Sequence, residues 1–214
     1  LFRKNEIITI FSEGKCINEW HLRPLKKGTA RLAIKTWEEN IPLKVLPVGI
    51  NYSSFTRFGK NILINFGEII TKSHIDISQS DGQRNIEFNN LLQSQLKQLV
   101  FEIDKSDKQC QQQKLFIKQS VFKKILLFIP AVIGWIFHAP LYIPIKNFTW
   151  KKTYGTDHYD SVMTGILFFI YPLYLVCMVF ICWLVIKSWL VIFIFLLFPF
   201  TAWCYTQLKP QLDQ

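Results

Sequence analysis

The sequence predicts two regions of different class. The first is an α/β domain, a partial sheet flanked by helices. The second is an α-helical membrane region. Charge is the first observation behind this division. The 214 residues carry 25 Lys+Arg and 15 Asp+Glu, but residues 115–214 hold only 8 basic and 3 acidic side chains. Hydrophobic patterning is the second: residues 1–104 alternate β-branched runs with helical stripes. The third is a pair of long uncharged runs near the C-terminus. A composition that is half hydrophobic and 19% charged excludes a disordered chain, and the apolar half argues against a wholly soluble enzyme.

Ile7-Ile8-Thr9-Ile10-Phe11 is β-branched and aromatic, and predicts a buried strand ending in the turn Ser12-Glu13-Gly14. Residues 15–27 are polar and basic and read as a loop. Ala30, Ala33, Ile34 and Trp37 recur at helical spacing and predict a helix over 28–39, stopped by Asn40 and Pro42. Leu43 to Tyr52 predicts a second strand, in which Pro47 implies an edge, a bulge or a break in pairing. Asn61 to Phe66 predicts a third, with Ile62, Ile64 and Phe66 alternating against Asn61, Leu63 and Asn65. Residues 71–85 read as a polar connector. Phe88, Leu91, Leu92, Leu96, Leu99 and Ile103 predict an amphipathic helix over 86–104. The domain is placed at 1–104 and a basic polar linker at 105–124.

Residues 125–214 form the membrane region. Val162–Ile186 is 25 residues without a charge, roughly 38 Å of helix against a hydrocarbon core of ~30 Å. Trp189–Leu208 adds 20 more, and only Lys187-Ser188 separates the two. They predict a transmembrane hairpin over 162–186 and 189–208, with Asp160 and Ser161 as cap residues. Residues 125–145 are uncharged but contain Pro130, Pro140, Pro144, Gly134 and His138, and are read as re-entrant or interfacial. Lysines crowd the flanks at Lys118, Lys123, Lys124, Lys146, Lys151 and Lys152, whereas Lys187 alone marks the turn. This bias places the N-terminal domain on the cytoplasmic face of an integral membrane protein, with the C-terminus on the same side.

Several function classes lose support from composition. The five cysteines are scattered without a Cys-x-x-Cys, and the four histidines show no ligand spacing, so neither a disulfide framework nor a metal site is expected. Asp157-His158-Tyr159-Asp160 reads as a helix cap and not as a metal site. The net charge of +10 is dispersed and no recognition module is visible, so nucleic acid is not an expected partner. Position 1 is Leu and no presequence pattern precedes the first apolar run, which predicts a chain whose beginning lies upstream.

The informative blocks are Ile10-Phe11-Ser12-Glu13-Gly14, then Arg23-Pro24-Leu25-Lys26-Lys27-Gly28, then Val45-Leu46-Pro47-Val48-Gly49, and finally Phe66-Gly67-Glu68. In this order they resemble the glycerolipid acyltransferase family, the lysophosphatidate and glycerol-3-phosphate acyltransferases. That family carries F-P-E-G-T-R, a P-x-K-x-G stretch, an apolar strand ending V-P-V, and F-G-E-P. The resemblance covers roughly residues 6–104. It implies acyl transfer in phospholipid synthesis or remodelling, from an acyl-CoA or acyl carrier protein thioester to a glycerol-phosphate or lysophospholipid hydroxyl. It also implies a lipid bilayer as partner and no bound cofactor. Glu13, Gly14, Lys15, Arg23, Lys26 and Lys27 would bind the acceptor, the basic groups holding its phosphate by charge-assisted hydrogen bonds.

Two departures qualify the resemblance. The family's general base is a His-x-x-x-x-Asp pair. Here His21, His74, His138 and His158 are followed at the fifth position by Lys26, Gln79, Ile143 and Met163. No catalytic residue is therefore assigned, and the chain as it stands is expected to be inactive. Cys16 also stands where the motif has Arg, leaving Lys15, Arg23, Lys26 and Lys27 to meet a phosphate as point charges or from other positions. Glu13 also suits a solvated turn, and Lys26 and Lys27 a solvated helix start. The alternative function is a non-catalytic, membrane-anchored lipid-binding or scaffolding module.

Overall fold

A computed structural model describes residues 2–4 and 6–213. The first long helix forms where the apolar stripe falls: α1 spans Lys27–Glu38, with Ala30, Ala33, Ile34 and Trp37 buried. Two strands follow, β1 (Val48–Tyr52) and β2 (Ile62–Phe66), then α2 (Asp81–Leu99) and α3 (Lys108–Leu115). Three long apolar elements complete the chain: α4 (Val121–Thr153), α5 (Tyr159–Ile186), and a 3-10 turn at Trp189–Phe193 leading into α6 (Ile194–Leu208). Contacts divide the chain into two units, Leu1–Tyr52 with Ile62–Leu115, and Ser53–Asn61 with Phe116–Gln214.

In the first unit, β1 and β2 pair antiparallel with Ile50 opposite Ile64. The core lies between α1 and α2. Trp37 and Phe88, both fully buried, meet at 5.9 Å between ring centroids, and Ile34, Ile70, Ile75 and Leu92 pack around them. The Trp37 indole donates to the Leu43 carbonyl at 2.9 Å, which fixes the chain as it leaves α1. The end of α2 is pinned from the sheet. The Asn51 and Asn65 side-chain amides both donate to the Leu99 carbonyl, at 3.0 and 2.8 Å, and Asn51 Oδ1 accepts from Phe101 N. Gly49 permits this approach, since a Cβ there would lie 2.6 Å from the Leu99 oxygen.

Several expectations require correction here. Residues 7–11 form no strand: Ile7 is 96% exposed and Phe11 75%, because no ladder partner lies beside them among the described residues. The strand expected over 43–52 is paired as a strand only from Val48. Ahead of it Val45 makes a single bridge to Ile70, and Pro47, lacking an N–H, accepts from Gly67 N. Ile62, Ile64 and Phe66 face outward, and it is Asn65 that turns toward α2. The polar connector over 71–85 contains a 3-10 turn at Lys72–His74 and the start of α2, five residues earlier than expected. Ser80 and Gln83 form a capping box there. The linker at 105–124 contains α3, whose Gln111 is buried and donates to the Lys105 carbonyl.

In the second unit, α4, α5 and the Trp189–Leu208 segment are each long and apolar enough to cross a membrane by length and composition. The stretch over 125–145 is thus part of one 33-residue helix. α6 runs antiparallel to the first part of α4. Phe137 stacks near Phe198, a Cβ on Gly134 would meet the Thr201 carbonyl at 2.2 Å, and Leu127 and Ala131 pack on Cys204. Small residues at such crossings let helices approach closely. At the start of α4, Lys123 donates to the Gln207 side chain at 2.7 Å. Pro130, Pro140 and Pro144 lie inside α4, and each removes a backbone N–H donor, which allows a helix to bend. α5 packs back along the second part of α4, through Trp150 with Tyr159 and His138 with Tyr171. Its N-cap residue is His158; Asp160, expected as the cap, is paired with Lys60 instead.

Candidate functional site

The candidate residues are gathered by the turn that precedes α1. Gly14 N donates to the Phe11 carbonyl at 3.1 Å, and Gly14 adopts a φ of +66°, which favours glycine. This turn is laid against the start of α1: Lys26 N donates to the Ser12 carbonyl at 2.7 Å, and the Ser12 and Thr29 hydroxyls meet at 2.9 Å. A side chain on Gly14 would approach the Lys26 stem at 3.1 Å. Glu13 reaches across the intervening loop and accepts from Arg23 N at 3.3 Å.

The structure therefore brings Glu13, Gly14, Arg23 and Lys26 to one place, with Lys27 opening the helix beside them. Arg23 is partly committed, since its Nε donates to Glu19 at 2.6 Å. Lys15 is exposed on the turn, and Lys26 and Lys27 are exposed at the helix start. The N-cap position is Lys26, whose side chain makes no cap hydrogen bond to the first N–H groups of α1. An open helix N-terminus flanked by lysines attracts phosphate or carboxylate through aligned N–H groups and the helix dipole.

A second constellation escaped sequence reasoning. His21 Nδ1 lies 2.7 Å from Glu102 Oε2, and Glu102 Oε1 accepts from Leu22 N at 3.0 Å. Partial burial pushes the Glu102 carboxyl up, but the Leu22 N–H, the His21 pair and nearby Lys97 outweigh it and hold the carboxyl below its usual value. The pair sits beside the Trp20–Ile103 bridge and fastens the 20–22 segment to the chain after α2. An apolar hollow of about 360 Å³ lies at the far end of α1, lined by Trp37, Ile41, Pro42 and Leu43. Among the described residues no three His, Cys, Asp or Glu side chains are grouped to hold a metal ion.

The order of these pieces, a turn carboxylate, a basic loop, a helix and an apolar strand, invites comparison with known families. Residues 1–51 match the Acyltransferase family. This acyltransferase match takes in the Glu13 turn, the Arg23–Lys27 block, all of α1 and most of β1. It points to acyl transfer as the class of chemistry. No curated protein and no solved structure matches the chain.

Proposed function

We propose that the protein acts in glycerolipid acylation, moving a fatty acyl group from an acyl-CoA or acyl carrier protein thioester to the hydroxyl of glycerol phosphate or a lysophospholipid. The observation that carries this reading is the turn Ser12–Gly14 fastened to the start of α1 inside the acyltransferase match. In this reading residues 1–104 are the acyltransferase portion, 105–124 connect it, and 125–214 serve as the anchor. Lys26, Lys27, Arg23 and the first N–H groups of α1 receive the acceptor phosphate, with Lys15 at the rim. Glu13 holds the basic loop in place through Arg23 N. The family's His-x-x-x-x-Asp base is not present in these 214 residues, and the chain by itself is expected not to turn over.

The test is acyl transfer by the complete protein in its own membranes, with labelled glycerol 3-phosphate and lysophosphatidate as acceptors. Glu13→Ala should lower the rate roughly 100-fold or more, the scale of losing a group that organises a catalytic site. Full activity in that variant sinks the assignment of Glu13. Acceptor binding without any acyl transfer would favour the lipid-binding alternative, which the Cys16 departure supports.

The membrane arrangement belongs to the same proposal. α5 and the Trp189–Leu208 segment cross as a hairpin, and α4 enters and returns on one side. The prolines inside α4 and the antiparallel packing of α6 on its first part support this reading, because the first allow a return and the second brings Lys123 to Gln207. Aromatic residues flank α5 at Trp150, Tyr154 and Tyr159 on one end and Trp183 and Trp189 on the other, the placement expected at two interfaces. The lysine-rich end is cytoplasmic. A cysteine introduced at Leu212 should be labelled from the cytoplasm and one at Ser188 from the opposite face; labelling of both from one face defeats the hairpin.

A further inference from the structure

Residues 53–61 belong to the membrane unit, and their placement there is tightly built. The Asp213 carboxylate accepts from Phe55 N at 3.1 Å, from the Thr56 hydroxyl at 2.7 Å and from the Ser54 hydroxyl. Ser54 Oγ in turn accepts from Thr56 N and Arg57 N. Ser53 Oγ accepts from Asn61 N, and the Asn61 amide donates to Gln211 at 2.7 Å. Gln211 also exchanges hydrogen bonds with the backbone of Ile117 at 2.7 and 2.8 Å. The loop is thus locked to both ends of the helical unit.

Between these parts lies a polar pocket of about 150 Å³, lined by Lys60, Asn61, Gln119, Thr206, Gln207 and Lys209 among others. One water needs only ~10–15 Å³ on this measure, so the pocket admits a larger polar group. Its charge is one-sided. Lys60 and Lys209 line it, Lys123 is bonded to its wall at Gln207, and Arg57 and Lys146 act on Lys209. Against these five cations stand two carboxylates, Asp160 on Lys60 and Asp213 at 3.7 Å from Arg57. Lys209 records the imbalance: burial, then Arg57, Lys146 and Lys60, lower its pKa to about 8. Its ammonium also sits 5.9 Å from the Phe58 ring. Cations held together in partly buried surroundings are stabilised by an anion that can take several hydrogen bonds at once.

We infer that this pocket binds a phosphate group, at a site in the membrane unit separate from the Glu13 turn. Lys60 and Lys209 supply the charge, and Asn61, Gln119 and Thr206 supply polar contacts that orient the oxygens. The phosphate of an anionic lipid headgroup fits the setting, since apolar helices begin directly beside the pocket; a soluble phosphate monoester shares the chemistry. The inference does not rest on acyl transfer.

The experiment uses the full chain in phosphatidylcholine nanodiscs, with binding read by native mass spectrometry and by thermal shift. Phosphatidate added to the disc should bind and raise the melting temperature. Lys209→Gln should weaken binding roughly tenfold, the scale of one lost charge-assisted hydrogen bond, while Lys209→Arg retains it. Lys124→Gln and Lys152→Gln remove exposed charges from α4 and should change binding less than about twofold. Glycerol 3-phosphate and inorganic phosphate, added in solution, identify the source: competition with phosphatidate indicates a site for any phosphate, and failure to compete indicates the lipid headgroup. If Lys209→Gln does not fold, Lys60→Gln and Thr206→Val take its place, and phosphatidate binding unchanged in both overturns the site. No shift with phosphatidate or either soluble phosphate overturns the site, and so does equal weakening by Lys124→Gln and Lys209→Gln.

Discussion

Ile62, Ile64 and Phe66 on the sheet of the first unit are about as exposed as Phe168, Leu173 and Leu184 on α5 of the second. The chemistry of the two surfaces is alike, but their backbones are not. α5 satisfies its N–H and C=O groups within itself, so its apolar surface can face hydrocarbon. Among the described residues no third strand pairs with the two-stranded sheet, and entering lipid would strand the backbone groups along its edges. An apolar helix is a surface for a bilayer, whereas an apolar open sheet is a surface for protein. Exposure alone does not separate the two cases; the hydrogen-bonding state of the backbone does.

This comparison can be broken or sharpened by substitution. Phe88→Ala removes the centre of the first core and should cost about 3–5 kcal/mol, seen as loss of amide protection in α1 and α2 by hydrogen exchange. Phe168→Ala, at an exposed position of similar size, should leave exchange in the second unit unchanged. Leu173→Arg should disfavour insertion by about 2.5–3.5 kcal/mol, read as the fraction extracted by alkali. Gly134→Val should cost about 1–3 kcal/mol by forcing α4 from α6, with Gly165→Val, which meets nothing, as its control in a detergent melting assay. Ile64→Lys should stay within about 0.5 kcal/mol and improve solubility of the isolated segment 1–115 if that segment folds. Loss of the first unit's exchange protection in Ile64→Lys would mean that the outward face is a working core.

The smallest effect is a pH dependence. The lowered pKa of Lys209 means that the unfolded chain holds that proton more tightly than the folded one between about pH 8 and the ordinary lysine value of 10.5. Stability should therefore rise with pH through that window. Arg57, Lys60, Lys123 and Lys146 face this group, as do Asp160 and Asp213 through their ion pairs. Lys209→Gln should flatten the rise in a pH series of melting temperatures.

What was legible in the sequence was what neighbours in sequence decide. The stripe of Ala30, Ala33, Ile34 and Trp37 gave α1 within a residue, and the uncharged runs marked α5 and the Trp189–Leu208 segment. The start of α2 was also legible, because Ser80 and Gln83 stand at capping-box spacing, but the apolar stripe drew attention to 86 instead. Residues 7–11 have every local property of a strand and lack only a partner, which no window can report. His21 and Glu102 lie 81 residues apart and carry no mutual signal. The alternation over 61–66 likewise did not say which face of the sheet is inward. Asn51 and Asn65 point inward because the Leu99 carbonyl awaits them at the end of α2.

The hydrogen bond between Asn61 and Gln211 joins residues 150 positions apart, and Asp213 reaches back still further to Ser54. In a growing chain, the loop after β1 leaves the ribosome long before its partners are made. At about 5–20 residues per second the delay is roughly 8–30 s. Throughout that interval Ser53, Ser54 and Asn61 must be served by water or by a chaperone. Gln211 and Asp213 act as a latch, and a chain interrupted between Leu208 and Gln211 holds α1 to α6 but leaves the 53–61 loop open.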